Sequence, residues 1–237
     1  VVDGITIGTF TNVGGSLVLS FNSSATAAQV GKAMGAVAYR NTSDTPPASV
    51  QINFILNDAN SNVTGGGTAG GGQNQGGGGQ LSAQSSVTVA ITPVNDTPAI
   101  AGLDATRPGN YVENGTAIQI DSNALLADPE LDATNWNKAT LSVARNGGAN
   151  VEDVFAATGT LSLTGAGSGN VLVSGVTVGT YTQTAGTIII TFNTNATAAR
   201  ADSVMRGLTY RNTSDDPPAS VTLTYTANAV SSASLHT

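Results

Sequence analysis

The chain of 237 residues carries 15 acidic against 8 basic side chains, a net charge of −7, with no cysteine, one histidine and one tryptophan. An acidic excess with Lys32 and Lys138 as the only lysines offers no electrostatic footprint for a nucleic-acid backbone or an anionic membrane, and the lack of thiols removes disulfides, thiolate metal sites and cysteine nucleophiles. Aliphatic runs are as short as Ile188-Ile189-Ile190, against the roughly 20 residues a membrane helix needs, and Val1-Val2-Asp3-Gly4 does not read as an export signal.

In chain order, apolar residues alternate at Leu17, Leu19, Phe21; Val50, Ile52, Phe54; Val87, Val89, Ile91; Ile118, Ile120; Leu141, Val143; Leu161, Leu163; Ile188, Ile190, Phe192; and Val221, Leu223, Tyr225. Period two, bounded by Gly, Asn, Asp and Pro, predicts antiparallel strands with one wet face. Two segments break the pattern. Val30, Met34 and Val37, and again Ala201, Met205 and Leu208, fall at helical spacing, the second set with Asn195 placed to cap a short helix running to Arg206. The methionines read as core filler rather than ligands. Residues 65–79, GGGTAGGGQNQGGGG, predict an elongated hairpin loop between a strand ending near Leu56 and one beginning near Ser86. A stiff junction is expected at Thr92-Pro93-Val94-Asn95-Asp96-Thr97-Pro98, where two prolines flank an Asn-Asp pair.

The chain repeats itself. Tyr39 to Val50 (YRNTSDTPPASV) and Tyr210 to Val221 (YRNTSDDPPASV) agree at 11 of 12 positions, and the offset of 171 residues holds backwards without a gap. GITIGT from Gly4 meets GVTVGT from Gly175, SLVLSFN from Ser16 meets TIIITFN from Thr187, and ATAA from Ala25 meets ATAA from Ala196. A period this long is a repeated domain, not a solenoid turn. Residues 1–97 read as the second half of one unit. Residues 98–237 read as a second unit that stops short of an equivalent to Ser86–Pro98, so both ends of the chain are expected to fall mid-repeat. Two explanations stay open: a fragment of a longer tandem array, or subunits whose incomplete units are completed by neighbours sharing strands.

Catalysis finds little support. His236, the only histidine, stands beside the C-terminus, where a Ser-His-Asp relay or histidine metal site would rest on a terminal residue. The acid pairs Glu152-Asp153 and Asp215-Asp216 read as solvated turn residues, and GAGSG from Gly165 reads as a turn. Trp136 alone is a poor sugar platform. No enzyme activity is expected. Hard-cation chemistry fits better, because calcium takes six to eight oxygens from carboxylates, amides and carbonyls. Such oxygens concentrate at Asn95-Asp96, Glu113-Asn114-Gly115 and Asp128-Pro129-Glu130-Leu131-Asp132, with Asp58 a further candidate whose repeat equivalent is Ala229. The alternative is that these are ordinary acidic turns.

Val94-Asn95-Asp96-Thr97-Pro98, then Tyr111-Val112-Glu113-Asn114-Gly115, then Leu126 to Asp132 (LADPELD), the stretch from Gly159 to Gly165, and Leu208 to Asp215 (LTYRNTSD) together resemble the cadherin-like tandem repeats of very large bacterial RTX-type adhesins and surface proteins. The glycine-rich insertion and Ala229 depart from that pattern. The resemblance implies an all-β chain of antiparallel β-sandwich (cadherin- or Ig-like) repeats, each with one short helix, in an exported, multidomain protein. The expected function is a structural extender at the bacterial cell surface or outside the cell, stiffened by calcium at Asn95, Asp96, Glu113, Asp128, Glu130, Asp132 and Asp58. Without metal the acids repel and the junction hinges; with calcium they are bridged. Its partners are then adjacent repeats of the same protein or, on the alternative reading of a self-assembling filament subunit, like chains, with no nucleic acid and no membrane insertion.

Overall fold

The computed structural model describes residues 1–59, 79–107 and 111–229. The glycine-rich stretch, apart from Gly79, and His236 lie outside them. The chain divides into two compact units, Val1–Thr92 and Pro93–Thr237.

In the first unit β1 (Gly8–Val13) and β2 (Ser16–Phe21) form a hairpin about Gly14 and Gly15, whose positive φ values of 60° and 79° glycine adopts without Cβ strain. Helix α1 (Ala27–Gly35) follows, opened by a capping box: Thr26 Oγ1 accepts from Gln29 N at 3.3 Å while Gln29 Oε1 accepts from Thr26 N at 3.0 Å. A second antiparallel pair joins β3 (Ser49–Asn57) to β4 (Ser82–Ala90), with Asn57 facing Ser82, so the glycine-rich stretch connects two hydrogen-bonded neighbours as expected of a hairpin. The two hairpins remain separate two-stranded sheets. Among the described residues, Ile7 is the only buried hydrophobic of this unit.

The second unit runs β5 (Ala99–Ala101), β6 (Ile118–Gln119), β7 (Leu125–Ala127), α2 (Pro129–Ala133), β8 (Thr140–Arg145), β9 (Asp153–Ala157), β10 (Leu161–Leu163), β11 (Ser168–Val173), β12 (Val176–Thr184), β13 (Thr187–Phe192), α3 (Ala198–Gly207), β14 (Leu208–Asn212) and β15 (Leu223–Asn228). Its strands form a six-stranded sheet in the order β10-β11-β12-β13-β8-β15, a three-stranded sheet β6-β14-β9 and the pair β5-β7, antiparallel throughout. The larger sheets feed one core, with Leu141, Val143, Ile188 and Ile190 from the first meeting Phe155 and Tyr210 from the second. Each aliphatic side chain wholly buried here contributes about 1.5–3 kcal/mol.

The alternating segments all contain strands, and the stripe Ala201, Met205, Leu208 is fully buried. Three local expectations are corrected. Helix α3 starts after Thr197, not Asn195, because Asn195 Nδ2 instead donates to the carbonyl of Thr177 at 3.0 Å and braces the end of β13 against β12. The second unit carries two helices rather than one: DPELD closes into the single turn α2 because Asp128 caps it and Pro129, at the first helical position, has no N–H to leave unpaired. Glu152-Asp153 is not a solvated pair, since Asp153 is buried.

The repeat also accounts for one pair of glycines. Gly8 and Gly179 occupy the same place in GITIGT and GVTVGT, and a Cβ at either would run into a carbonyl of the neighbouring strand, Ser20 or Thr191. In β12 the bulge between Val171 and Leu172 of its partner lies beside that close approach.

Candidate metal site

The acidic turn around α2 is built from its backbone. Asp128, 2% exposed, turns its Oδ1 to the N–H groups of Glu130 (3.1 Å) and Leu131 (2.8 Å), satisfying two donors that a helix start leaves open. Asp132 returns the contact, its Oδ2 accepting from Asp128 N at 3.1 Å, while its Oδ1 takes the indole N–H of Trp136 at 2.9 Å. Glu130 reaches back along the chain: its Oε2 accepts from Asp96 N at 3.4 Å. The remaining oxygens of two of these acids, Asp128 Oδ2 and Glu130 Oε1, are buried without a hydrogen-bond partner. Burying a carboxylate oxygen with nothing donating to it costs about 1–3 kcal/mol or more, so two of them on residues two apart in the chain form a local electrostatic debt that a hard cation would relieve.

Of the seven residues singled out from the sequence, Asp96, Asp128, Glu130 and Asp132 are therefore joined by hydrogen bonds. Asn95 is exposed and donates its amide to the carbonyl of Asp96 at 3.0 Å. Glu113 is exposed beside Asn114, whose φ of 57° marks a left-handed turn and whose Nδ2 donates to Glu113 Oε1 at 3.5 Å. Asp58 belongs to the first unit, where its Oδ1 and N–H both bind the backbone of Leu81 at the base of the β3-β4 hairpin. Among the described residues no three His, Cys, Asp or Glu side chains converge as a ligand set. A calcium shell at α2 therefore needs backbone carbonyls, amides and water besides Asp128 and Glu130, which is within its usual chemistry.

Three acids outside the candidate metal set are structural. Asp121 is buried, which by itself raises its pKa, yet the backbone N–H groups of Asp104, Asn123 and Ala124 together hold it below the usual carboxylate value. Asp202 Oδ1 fixes Leu126 N at 3.0 Å. Asp153 is the centre of a charged cluster. Its Oδ2 accepts from Arg145 Nε at 2.9 Å, and its Oδ1 from Arg145 Nη2 (2.6 Å), the Tyr210 hydroxyl (2.7 Å) and Asn212 Nδ2 (2.8 Å). Burial works to raise its pKa, but those donors and the guanidinium charge hold it below the ordinary range. The signal was present in the period-two pattern: Asp153 shares a strand face with Phe155.

The pH dependence follows. Asp121 and Asp153 bind protons less readily when folded, so their stabilisation is present above the ordinary aspartate pKa of about 3.9 and is lost as pH falls through their lower folded values. Burial, reinforced by Asp153, raises the Tyr210 hydroxyl to about 12. That contribution is present below the ordinary tyrosine value of about 10 and is lost as pH rises from there through about 12. Urea midpoints followed by Trp136 fluorescence are expected to be level near neutrality, to fall below about pH 4 and to fall again above about pH 10. A midpoint that holds into strong acid would mean that neither carboxylate is held as described.

Trp136 itself is wholly buried, edge-on to Phe192 with ring centroids 6.2 Å apart, and presents no face to a sugar. Among the described residues no helix is long and apolar enough to cross a membrane. No protein-family model, no curated protein and no solved structure matches the chain.

Proposed function

We propose that the chain is a structural extender segment of a large extracellular bacterial surface protein, built from β-sandwich repeats of the cadherin-like kind and stiffened by calcium at the α2 turn. The observation that carries the metal is the pair of buried, unpartnered oxygens on Asp128 and Glu130. The 171-residue repeat and the ordered set of motifs that resemble cadherin-like repeats support the extender role. Asp128 and Glu130 would hold the ion, with Asp132 and the Asn95-Asp96 segment supplying further oxygen. Glu113 and Asp58, the other two residues expected from the sequence, are not part of this set. Bound calcium supplies positive charge where carboxylates crowd.

The chain's own residues do the rest. Glu130 already hydrogen-bonds Asp96, in the segment that opens the second unit, so a cation that fixes the Glu130 carboxylate also fixes residues 95–96 against α2. Asp132 links the same turn to the core through Trp136, which makes the only tryptophan a reporter of the site.

Calcium titration followed by Trp136 fluorescence and thermal unfolding tests this. At a hundredfold excess over Kd, binding to the folded state alone stabilises by about 2.7 kcal/mol, a rise in Tm of roughly 8 °C for a unit of this size. Asp128→Asn keeps an oxygen to cap α2 but removes the charge, and it is expected to abolish the rise. No calcium-dependent rise, or one that survives Asp128→Asn, would overturn the metal assignment.

A further inference from the structure

The chain holds two Asn-Gly pairs, Asn114-Gly115 and Asn146-Gly147, and they stand in different backbone settings. Glycine after asparagine leaves the least steric cover over the backbone nitrogen that can attack the side-chain amide, because it carries no Cβ. Both asparagines are exposed, so access to water does not separate them. Their hydrogen bonding does. The Gly115 N–H donates to the Val112 carbonyl at 2.8 Å, a Cβ on Gly115 would stand 2.7 Å from that same oxygen, and Asn114 Nδ2 donates to Glu113 Oε1 at 3.5 Å. Asn146-Gly147 forms the centre of a β-turn after β8, closed by Gly148 N donating to the Arg145 carbonyl at 3.4 Å, with the positive φ of 83° at Gly147 that marks type II. Neither the Gly147 N–H nor the Asn146 side-chain amide has a hydrogen-bond partner among the described residues. Apart from its chain neighbours, no atom lies within 4 Å of where a Gly147 Cβ would stand.

We propose that Asn146 is a site of spontaneous, one-way modification, converting to aspartate and isoaspartate in the folded chain while Asn114 lags behind. The Gly147 nitrogen, giving its proton to solvent base, attacks Asn146 Cγ; a C–N bond forms, the Cγ–Nδ2 bond breaks, and the side-chain nitrogen takes up a proton and leaves as ammonia. The five-membered succinimide then adds one water at either of its two carbonyls. Opening at one gives aspartate with its ordinary backbone; opening at the other gives isoaspartate, whose main chain runs through the side-chain carbon. Water is the only co-reactant. Position gives the change its consequence. Asn146 directly follows Arg145, whose guanidinium holds Asp153, and its own N–H continues the ladder of β8 by donating to the Thr222 carbonyl at 2.8 Å. The turn leads from β8 in the six-stranded sheet towards β9 in the three-stranded one. Each conversion thus sets a new negative charge next in the chain to the Arg145–Asp153 pair. This inference is independent of the calcium reading.

The test incubates the full, folded chain in mildly alkaline buffer made with oxygen-labelled water and follows it by peptide mapping with mass spectrometry. Expected at Asn146 is the mass gain of exchanging ammonia for one labelled water, with isoaspartate told from aspartate by electron-transfer fragmentation, and a matching acidic shift of the intact chain on ion exchange. Asn114 is expected to convert at least about fivefold more slowly, the factor that one net backbone hydrogen bond is worth. In concentrated urea, where the turn bonds are gone, the two rates are expected to draw together, since the difference belongs to the fold. Asn146→Gln, whose longer side chain would have to close a six-membered ring, is expected to lose the early acidic shift. The proposal is overturned if Asn146 stays unconverted in the folded chain through an incubation that converts it in urea, if the two asparagines convert at equal rates while folded, or if their rates differ as much in urea as in the folded chain.

Discussion

Asp153→Ala is expected to destabilise the second unit by about 3–5 kcal/mol, the range for removing one partner of a buried ion pair. That is a large share of the roughly 5–15 kcal/mol by which a domain is stable. The Asp153 side chain has no exposed surface and Arg145 keeps 18% of its own, so the guanidinium left behind is only partly rehydrated. The Tyr210 hydroxyl and the Asn212 amide lose their acceptor at the same time. Position amplifies the effect, because Arg145 lies on β8 of the six-stranded sheet while Asp153, Tyr210 and Asn212 lie on β9 and β14 of the three-stranded one. The carboxylate is the polar clamp between them. Urea unfolding read by Trp136 gives the number, and a loss under about 1 kcal/mol would show the cluster to be solvated like a surface pair. Replacing both partners, Asp153→Leu with Arg145→Leu, is expected to recover part of the loss, since no uncompensated charge then remains buried.

A second large effect is a contrast between repeat equivalents. Met205→Ala is expected to cost about 2–5 kcal/mol, the range for emptying a filled core site. Met34→Ala is expected to cost less than about 1 kcal/mol. Both methionines occupy the same turn of the same helix in the repeat, with Ala201 and Val30 one turn before and Leu208 and Val37 three residues after, so helix propensity largely cancels. What differs is burial, 0% for Met205 against 38% for Met34. Differential scanning calorimetry of the two variants measures both costs. Equal losses would mean that Met34 is packed as tightly as Met205.

Strand positions were legible because one wet face imposes period two, and the helical stripes because a buried helix face imposes the spacing of Ala201, Met205 and Leu208. The start of α3 was not, because Asn195 can cap or brace and only the nearness of Thr177 decides which. Asp153 was misread as solvated because an acid beside Glu152 looks polar whichever way it points; its partners are Arg145 on the preceding strand and Tyr210 and Asn212, 57 and 59 residues further on. In the candidate metal site, the sequence located the acids but not their hydrogen bonding. Two of the turn's oxygens are spent on capping α2 and on Asp128 N, and one is held by Trp136.

Sequence by itself determined the all-β character, the turn positions and the presence of one unit twice over, since these depend on local spacing and on self-comparison. Tertiary structure alone decided which copy of that unit is packed. Val37–Asn41 and Leu208–Asn212 share Tyr, Arg and Asn at their last three of five positions, yet only the second is a strand. A strand's backbone is satisfied only by neighbours, and here the neighbours β6 and β9 are far away in the chain. Burial is likewise a property of what lies opposite a side chain, which no local pattern records.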